Sequence, residues 1–303
     1  MTLTPRLAVL LTLPPLLWAG NAIVGRLMVG SVPPLALNAL RWGLAFLILL
    51  PLARRVLTEP AALLKRWRYF ALTGLLGIGC YNALQYGALR TSSPLNVTLI
   101  AASLPVWMLS VGAVRFGIRP TTPQVIGALL SLIGVAFVIA RGHPSALMQV
   151  QFVLGDLLML LAVFIWALYS WLLARPPASM QGAAKPDWNW AEQLMAPLLF
   201  GLLFAGGMAG LEQLGSPEPI RWGPGLAFAL LYVALGPSLL AYRCWSIGVA
   251  EAGPAMAAFF GNLTPVFAAL MSAALLGEWP QWFHGVAFLL IAAGIVVSSR
   301  APK

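Results

Sequence analysis

Long apolar runs, separated by short polar stretches, follow one another along the whole of this 303-residue chain. A helix that crosses a bilayer needs about 20 mostly apolar residues. Measured against that length, the pattern predicts ten membrane-spanning helices, at roughly residues 7–25, 33–53, 69–89, 94–114, 122–140, 152–174, 192–211, 224–248, 254–276 and 281–299. The expected fold is therefore an all-α integral membrane protein with ten transmembrane helices.

The helix-breaking residues inside these runs occur twice with the same spacing. Pro94 and Pro105 are eleven residues apart, and so are Pro254 and Pro265, which stand 160 positions further along. The same register continues through three more pairs, Gly117 with Gly277, Pro120 with Pro280, and Gly134 with Gly294. Repeated breaks in corresponding hydrophobic segments are typical of secondary transporters and point to their substrate site.

This duplication predicts a first five-helix repeat over residues 1–140, a connecting loop over 141–151 and a second five-helix repeat over 152–303. Because five is odd, the second half enters the membrane from the opposite side, so the repeats are expected to be inverted. In such folds the site lies near the membrane midplane, where the repeats meet. The last span of each half has few polar residues, and we expect it to pack against its counterpart or against a second subunit.

Composition and charge agree with a membrane location and predict an orientation. Sixty per cent of the residues are hydrophobic and only 9% are charged, against about 25% charged in an ordinary soluble domain. With the N-terminus inside, twelve Lys and Arg lie on the inner side and four on the outer side, which predicts that both termini are cytoplasmic. Tryptophans at predicted span ends suggest an interfacial belt, formed by Trp67, Trp171, Trp188, Trp190, Trp222, Trp279 and Trp282.

The net charge of +10 comes from short basic clusters between apolar runs, so we expect no nucleic-acid partner. Cys80 and Cys244 have no metal or disulfide spacing. The isolated His143 and His284, with scattered carboxylates, form no catalytic constellation. We therefore expect no cofactor, no metal and no enzymatic activity; an integral-membrane lipid-modifying enzyme is the alternative from another class. The acidic residues lie in loops or near span ends, which argues against coupling through a buried carboxylate.

Polar and aromatic side chains inside the spans are the candidate site, because such groups are costly in hydrocarbon unless they face the bundle interior or a wet cavity. The candidate substrate-binding residues are Trp18, Asn21, Tyr81, Asn82, Gln85, Asn96, Ser103, Trp107, Trp166, Tyr169 and Tyr242. A face of the fourth segment is polar and aromatic, whereas the corresponding face of the ninth is apolar, which suggests an amphipathic substrate. Interhelical hydrogen bonding or core packing without a ligand is the alternative.

Two prolines and one arginine are further candidates. Pro105 and Pro265 interrupt helical hydrogen bonding, and each could act as a hinge for alternating access, supply backbone acceptors to a ligand, or form a simple kink. Arg41 lies well inside the second predicted span. An intramembrane charge is by default a functional candidate, and this one could attract a carboxylate or cap carbonyls at a helix end.

The whole pattern resembles the drug/metabolite transporter superfamily, EamA family. The residues that carry the resemblance are Trp18-Ala19 and Trp166-Ala167 opening each half, Arg41, Pro94 through Pro105, and Pro254 through Glu278. Within that family the chain is similar to the YddG-like exporters. The second half reads Gly277-Glu278 where the first reads Gly117-Ile118, which weakens any argument for a transport role of that glutamate.

The resemblance implies a multi-pass protein of the bacterial inner membrane that exports neutral and aromatic amino acids by alternating access. It also implies a central cavity around Trp18, Tyr81 and Trp166. The expected partners are a small-molecule substrate and the lipid bilayer, and a monomer is compatible with the sequence. A transporter of another metabolite or of a drug-like compound is the alternative within the same class.

Overall fold

The computed structural model describes residues 3–28, 30–88, 91–92, 97, 100–140, 142–143, 145, 148, 153–215, 218–276 and 281–300. All regular structure in these ranges is helical. The helices are α1 (Pro5–Leu27), α2 (Pro34–Ala53), α3 (Arg55–Thr58), α4 (Pro60–Leu64), α5 (Trp67–Gly74), α6 (Tyr81–Ala88), α7 (Leu104–Phe116), α8 (Thr122–Ile139), α9 (Leu154–Ala174), α10 (Trp190–Gly215), α11 (Pro224–Val233), α12 (Ala241–Ala252), α13 (Pro254–Gly261), α14 (Thr264–Leu276) and α15 (Trp282–Ser299). Two π-helical segments, Leu75–Cys80 and Ala234–Leu240, join α5 to α6 and α11 to α12.

Seven helical segments in the described part of the chain are long and apolar enough to cross a membrane. They are Pro5–Gly25, Pro34–Ala53, Leu154–Ala174, Trp190–Gly215, Pro224–Ala252, Pro254–Met271 and Trp282–Ser299. Leu104–Phe116 and Thr122–Phe137 are apolar but shorter. The predicted all-α membrane class is therefore confirmed, whereas the count of ten spans and their inverted arrangement stay predictions.

Proline marks where many of these helices begin, because its fixed φ suits the first helical turn and its missing N–H has no partner to lose there. Pro105 and Pro265 follow this rule: each lies in the first turn of a new helix, α7 and α14. Turn residues precede both helices, at 102–103 and at 262–263. The two candidate breaks thus lie at helix starts, and the three roles considered for these prolines stay predictions.

Helices α8 and α15 pack against each other along much of their length. A Cβ placed on Gly127 would lie 2.6 Å from the carbonyl oxygen of Gly294, and one placed on Gly134 would lie 3.0 Å from that of Ala287. Glycine lets the two backbones approach this closely, and the order of the contacts makes the helices antiparallel. Of the two expected arrangements for the last spans, the described residues show packing against each other.

The predicted tryptophan belt is only partly correct. Four of its members are exposed at helix ends or in loops, namely Trp67, Trp190, Trp222 and Trp282. Trp171 and Trp188 are instead buried, and Trp279 lies outside the described residues. The Trp171 Nε1–H donates to the carbonyl oxygen of Met108 at 2.8 Å, so the protein interior satisfies the polar edge that would otherwise favour an interfacial position.

Candidate functional site

Aromatic side chains from five helices meet near the middle of the bundle. This aromatic cluster consists of Trp18, Trp42, Tyr81, Trp166, Tyr169, Tyr242 and Trp245. Trp166 is its hub, because five other rings have centroids between 4.9 and 5.7 Å from its own. Aromatic pairs at such separations contribute about 0.5–1.5 kcal/mol beyond their buried area, so the cluster is held firmly.

Backbone carbonyls of the two π-helical segments bind polar tips of the cluster. The Trp18 Nε1–H donates to the carbonyl oxygen of Pro237 at 3.2 Å, and the Tyr242 hydroxyl donates to the carbonyl oxygen of Gly77. A π-helical turn and a proline both disturb the usual ladder of helical hydrogen bonds, so carbonyls there can accept from side chains. The cluster is therefore tied to the irregular parts of two membrane helices.

The two π-helical segments obey the same register as the repeated prolines. Shifted by 160 residues, Leu75–Cys80 falls on positions 235–240, inside Ala234–Leu240. Such bulges often occur at functional sites. Both segments contact α2, since the Asn38 amide donates to the carbonyl oxygen of Ile78 at 3.4 Å and the Arg41 Nε donates to the Ser238 hydroxyl.

Arg41 is only 2% exposed and joins three elements. Its Nε donates to the Ser238 hydroxyl at 3.1 Å, and its Nη1 donates to Asn21 Oδ1 at 3.2 Å. Its Cζ lies 5.2 Å from the ring centroid of Trp42, a cation–π distance. The guanidinium thus connects α1, α2 and the second π-helical segment at the edge of the aromatic cluster.

The structure brings together six of the eleven candidate substrate-binding residues. Trp18, Tyr81, Trp166, Tyr169 and Tyr242 belong to the aromatic cluster, and Asn21 binds Arg41.

The remaining candidates lie elsewhere on these helices. Asn82 is buried in α6 and Gln85 is partly buried there. The Ser103 hydroxyl donates to the carbonyl oxygen of Ile100. Trp107 packs on Phe164, with ring centroids 5.5 Å apart, and in the described part of the chain it makes no ring contact with the cluster. Asn96 falls outside the described residues.

Sequence reasoning missed Asn38, Trp42 and Ser238, all of them buried beside Arg41. A usable signal was present for two of them: Asn38 and Trp42 stand three positions before and one after the arginine, on one side of α2. Ser238 gave no comparable signal, because it is brought to Arg41 only by the π-helical backbone around it.

A pocket of about 240 Å³ opens at the end of the bundle where α1 begins. Its walls are mostly apolar, with Leu7, Leu109 and Met256 among them, and its polar contributors include Gln124 and Ser298. An ion pair lies beside it, because Arg6 and Glu251, 3.0 Å apart, directly precede two lining residues. The pocket is thus lined by residues from both halves of the sequence.

The buried carboxylates of the described residues serve helix starts. Asp156 accepts from the backbone N–H of Val153 at 2.8 Å and from the Ser92 hydroxyl, and Glu192 accepts from the N–H of Asn189 at 2.7 Å. Carboxylates are stabilised at such N-termini by free N–H groups and the helix dipole. Their positions near helix ends agree with the sequence, although their burial was not foreseen.

Comparison with known proteins adds the family context. The model of the EamA-like transporter family matches this chain twice, over residues 6–140 and over residues 153–300. A solved crystal structure of a protein covers 96% of this chain and 96% of its own, with a TM-score of 0.75 and 22% sequence identity. At that identity the structural likeness shows the fold alone.

Several curated relatives align over nearly their full length. An uncharacterized transporter of Archaeoglobus fulgidus is 24% identical, covering 96% of both chains. The aromatic amino acid exporter YddG of Ancylobacter novellus is 25% identical, covering 95% of both. The uncharacterized inner membrane transporter YedA of Escherichia coli is 26% identical, covering 93% of this chain and 87% of its own.

Proposed function

Because this chain belongs to the EamA-like transporter family, we propose that it exports neutral and aromatic amino acids, or related small amphipathic metabolites, by alternating access. The family makes it a multi-pass membrane transporter whose partners are a small molecule and the lipid bilayer, and the named relatives are transporters and not enzymes. The observation that carries the amino-acid proposal is the aromatic cluster around Trp166, which supplies π-faces for an aromatic side chain near mid-length of the bundle. The name of the 25% identical relative agrees with it.

The proposed architecture is ten spans arranged as two inverted repeats. Its support is the double family match together with one contact pattern. Gly127 contacts Gly294, and Ala287 contacts Gly134. In the repeat register of 160 residues, position 287 corresponds to position 127 and position 294 corresponds to position 134. Exchanging the two halves therefore converts one of these contacts into the other. Such exchange of partners is the property of a two-fold interface.

The proposed location is the bacterial inner membrane with both termini in the cytoplasm. The excess of Lys and Arg on one side supports this orientation, and one relative is named an inner membrane transporter. The pocket at the start of α1 then faces the cytoplasm, where an exporter receives its substrate. The substrate would pass from this pocket toward the aromatic cluster.

Alternating access would move the first four predicted spans against spans six to nine, with the site between them. Pro105 and Pro265 are the proposed hinges, because each is the second residue of a helix that begins directly after two turn residues. A break of this kind leaves few helical hydrogen bonds to strain when the flanking helices change their angle.

Counterflow into proteoliposomes tests the function directly. Vesicles that hold the purified full-length chain are loaded with unlabelled tyrosine, threonine or a lipophilic cation, and each batch is mixed with the labelled form of the compound it contains, with and without a pH gradient. We expect rapid counterflow of the amino acids and little effect of the gradient. Counterflow of the cation alone would contradict the proposal and favour a drug-like substrate, for which the apolar walls of the pocket are the supporting observation.

A further inference from the structure

One turn of α2 presents three polar side chains, Asn38, Arg41 and Trp42, beside the aromatic cluster. Their spacing of three and four residues puts them on one side of the helix, and each is at most 2% exposed. Within the described part of the chain, Asn38 Oδ1 and Trp42 Nε1 have no hydrogen-bond partner. A buried acceptor and a buried donor are therefore left unsatisfied next to a buried charge, which proteins ordinarily avoid.

The charge itself has only neutral partners. None of the ion pairs among the described residues involves Arg41. Its Nε and Nη1 donate to a hydroxyl and an amide oxygen, whereas Nη2 makes no hydrogen bond within the same ranges. A guanidinium held in a low-dielectric interior without a counter-ion is costly. It is also the side chain whose planar array of donors best fits a carboxylate.

We propose that this turn of α2 binds the zwitterionic head group of an α-amino acid. The inference rests on the proposed export of amino acids and adds the element that recognises them. The substrate carboxylate accepts hydrogen bonds from Arg41 Nη2 and Trp42 Nε1, and its ammonium group donates to Asn38 Oδ1. The substrate side chain then faces the aromatic cluster, since the Trp42 ring lies 4.9 Å from that of Tyr242.

This arrangement distinguishes a zwitterion from molecules that carry only one of its charges. An amine without a carboxylate would bring a second positive charge to Arg41 and leave the guanidinium without an anion. A carboxylic acid without an ammonium group would leave Asn38 Oδ1 unsatisfied. Hydrogen bonds that involve a charged group correspond to roughly tenfold to a hundredfold in affinity, so each analogue should bind at least about tenfold more weakly than the amino acid.

The test is a fluorescence titration of the purified full-length chain in detergent, read from its tryptophans. The ligands are phenylalanine, phenethylamine, which lacks the carboxylate, and 3-phenylpropionate, which lacks the ammonium group. In R41Q the preference for phenylalanine over phenethylamine should fall about tenfold or more, and R41K should fall between R41Q and the natural chain. In N38L the preference over 3-phenylpropionate should fall instead.

R243Q is the matched control, because Arg243 is a second arginine of a membrane helix but is exposed and stacks over Trp190 at 4.4 Å. It should leave both preferences unchanged. Each preference is a ratio measured on one preparation, so a loss of folded protein alone does not alter it. R41Q and N38L preparations that retain both preferences would overturn the inference.

The same chain in the counterflow assay separates this inference from the proposed function. Amino-acid counterflow together with preferences that ignore Arg41 would leave the export function standing and refute the zwitterion site. Zwitterion-selective binding without any counterflow would support the site and refute the export function. If the chain shows no binding and no counterflow of amino acids, both the zwitterion site and the export function are refuted.

Discussion

Replacing Gly294 with alanine should push α8 and α15 apart. The new Cβ would lie 2.7 Å from the carbonyl oxygen of Gly127 and 2.9 Å from the Ser131 hydroxyl, where ordinary contacts begin at 3.4 Å. The distance from this Cβ to the Gly127 oxygen is 0.7 Å shorter than an ordinary contact. Because that oxygen belongs to the backbone, a whole helix must move to relieve the clash. Overpacking of this kind costs about 1–3 kcal/mol, against a gain of about 0.8–1.0 kcal/mol from removing a glycine within a helix.

G206A is the matched control for this change. Gly206 lies inside α10, and a Cβ placed there would meet nothing within 4 Å, so only the helix-propensity gain remains and the variant should be more stable than the natural chain. The propensity term is common to both variants, and their difference therefore isolates the steric cost. At about 2–4 °C per kcal/mol, 1–3 kcal/mol separates their thermal midpoints by about 2–12 °C. Unfolding in detergent, followed by tryptophan fluorescence, measures this; equal midpoints would refute the close packing of α8 and α15.

Three further substitutions test other parts of the structure. W166A removes the hub of the aromatic cluster and should cost about 3–5 kcal/mol of unfolding free energy with loss of counterflow, whereas a stability loss below 1 kcal/mol would contradict its central position. E212A removes the carboxylate that accepts two N–H groups at the start of α2 and should lower stability by about 1–2 kcal/mol; an unchanged thermal midpoint would contradict that role. R6Q breaks the exposed pair with Glu251, which should shift the midpoint little, so a large shift would show that this pair holds the pocket region together.

The fold was predictable in outline because run length and composition decide the class of a membrane protein. Apolar stretches of about 20 residues leave the backbone no alternative to a helix in lipid. The π-helical segments were not predictable, because a bulge depends on which groups bind the displaced carbonyls. At Gly77 that group is the Tyr242 hydroxyl, which lies 165 residues away in sequence, and no local pattern encodes such a contact.

The candidate site was predicted in part for a similar reason. Trp18, Trp166 and Tyr242 were found because aromatic residues within spans are conspicuous, and the structure places their rings in one cluster. Trp107 looked equivalent to these residues in sequence, but its ring packs on Phe164. Helix spacing does not determine which face of a helix turns toward the centre of the bundle. Trp42 was missed although it is an aromatic residue within a predicted span, because what makes it informative is that its Nε1 is buried without a hydrogen-bond partner among the described residues, which no sequence pattern shows.

The packing of α8 against α15 bears on how such a molecule could have arisen. Because Gly127 and Gly134 on one helix meet Gly294 and Ala287 on the other in an exchanged pattern, a half-length ancestor would already have carried both sides of this interface. In the inverted arrangement proposed above, two copies of that ancestor, inserted into the bilayer in opposite senses, would have paired through it. Gene fusion would then have joined the two copies in one polypeptide. Before fusion, the assembly would have required the ancestor to insert equally often in each orientation.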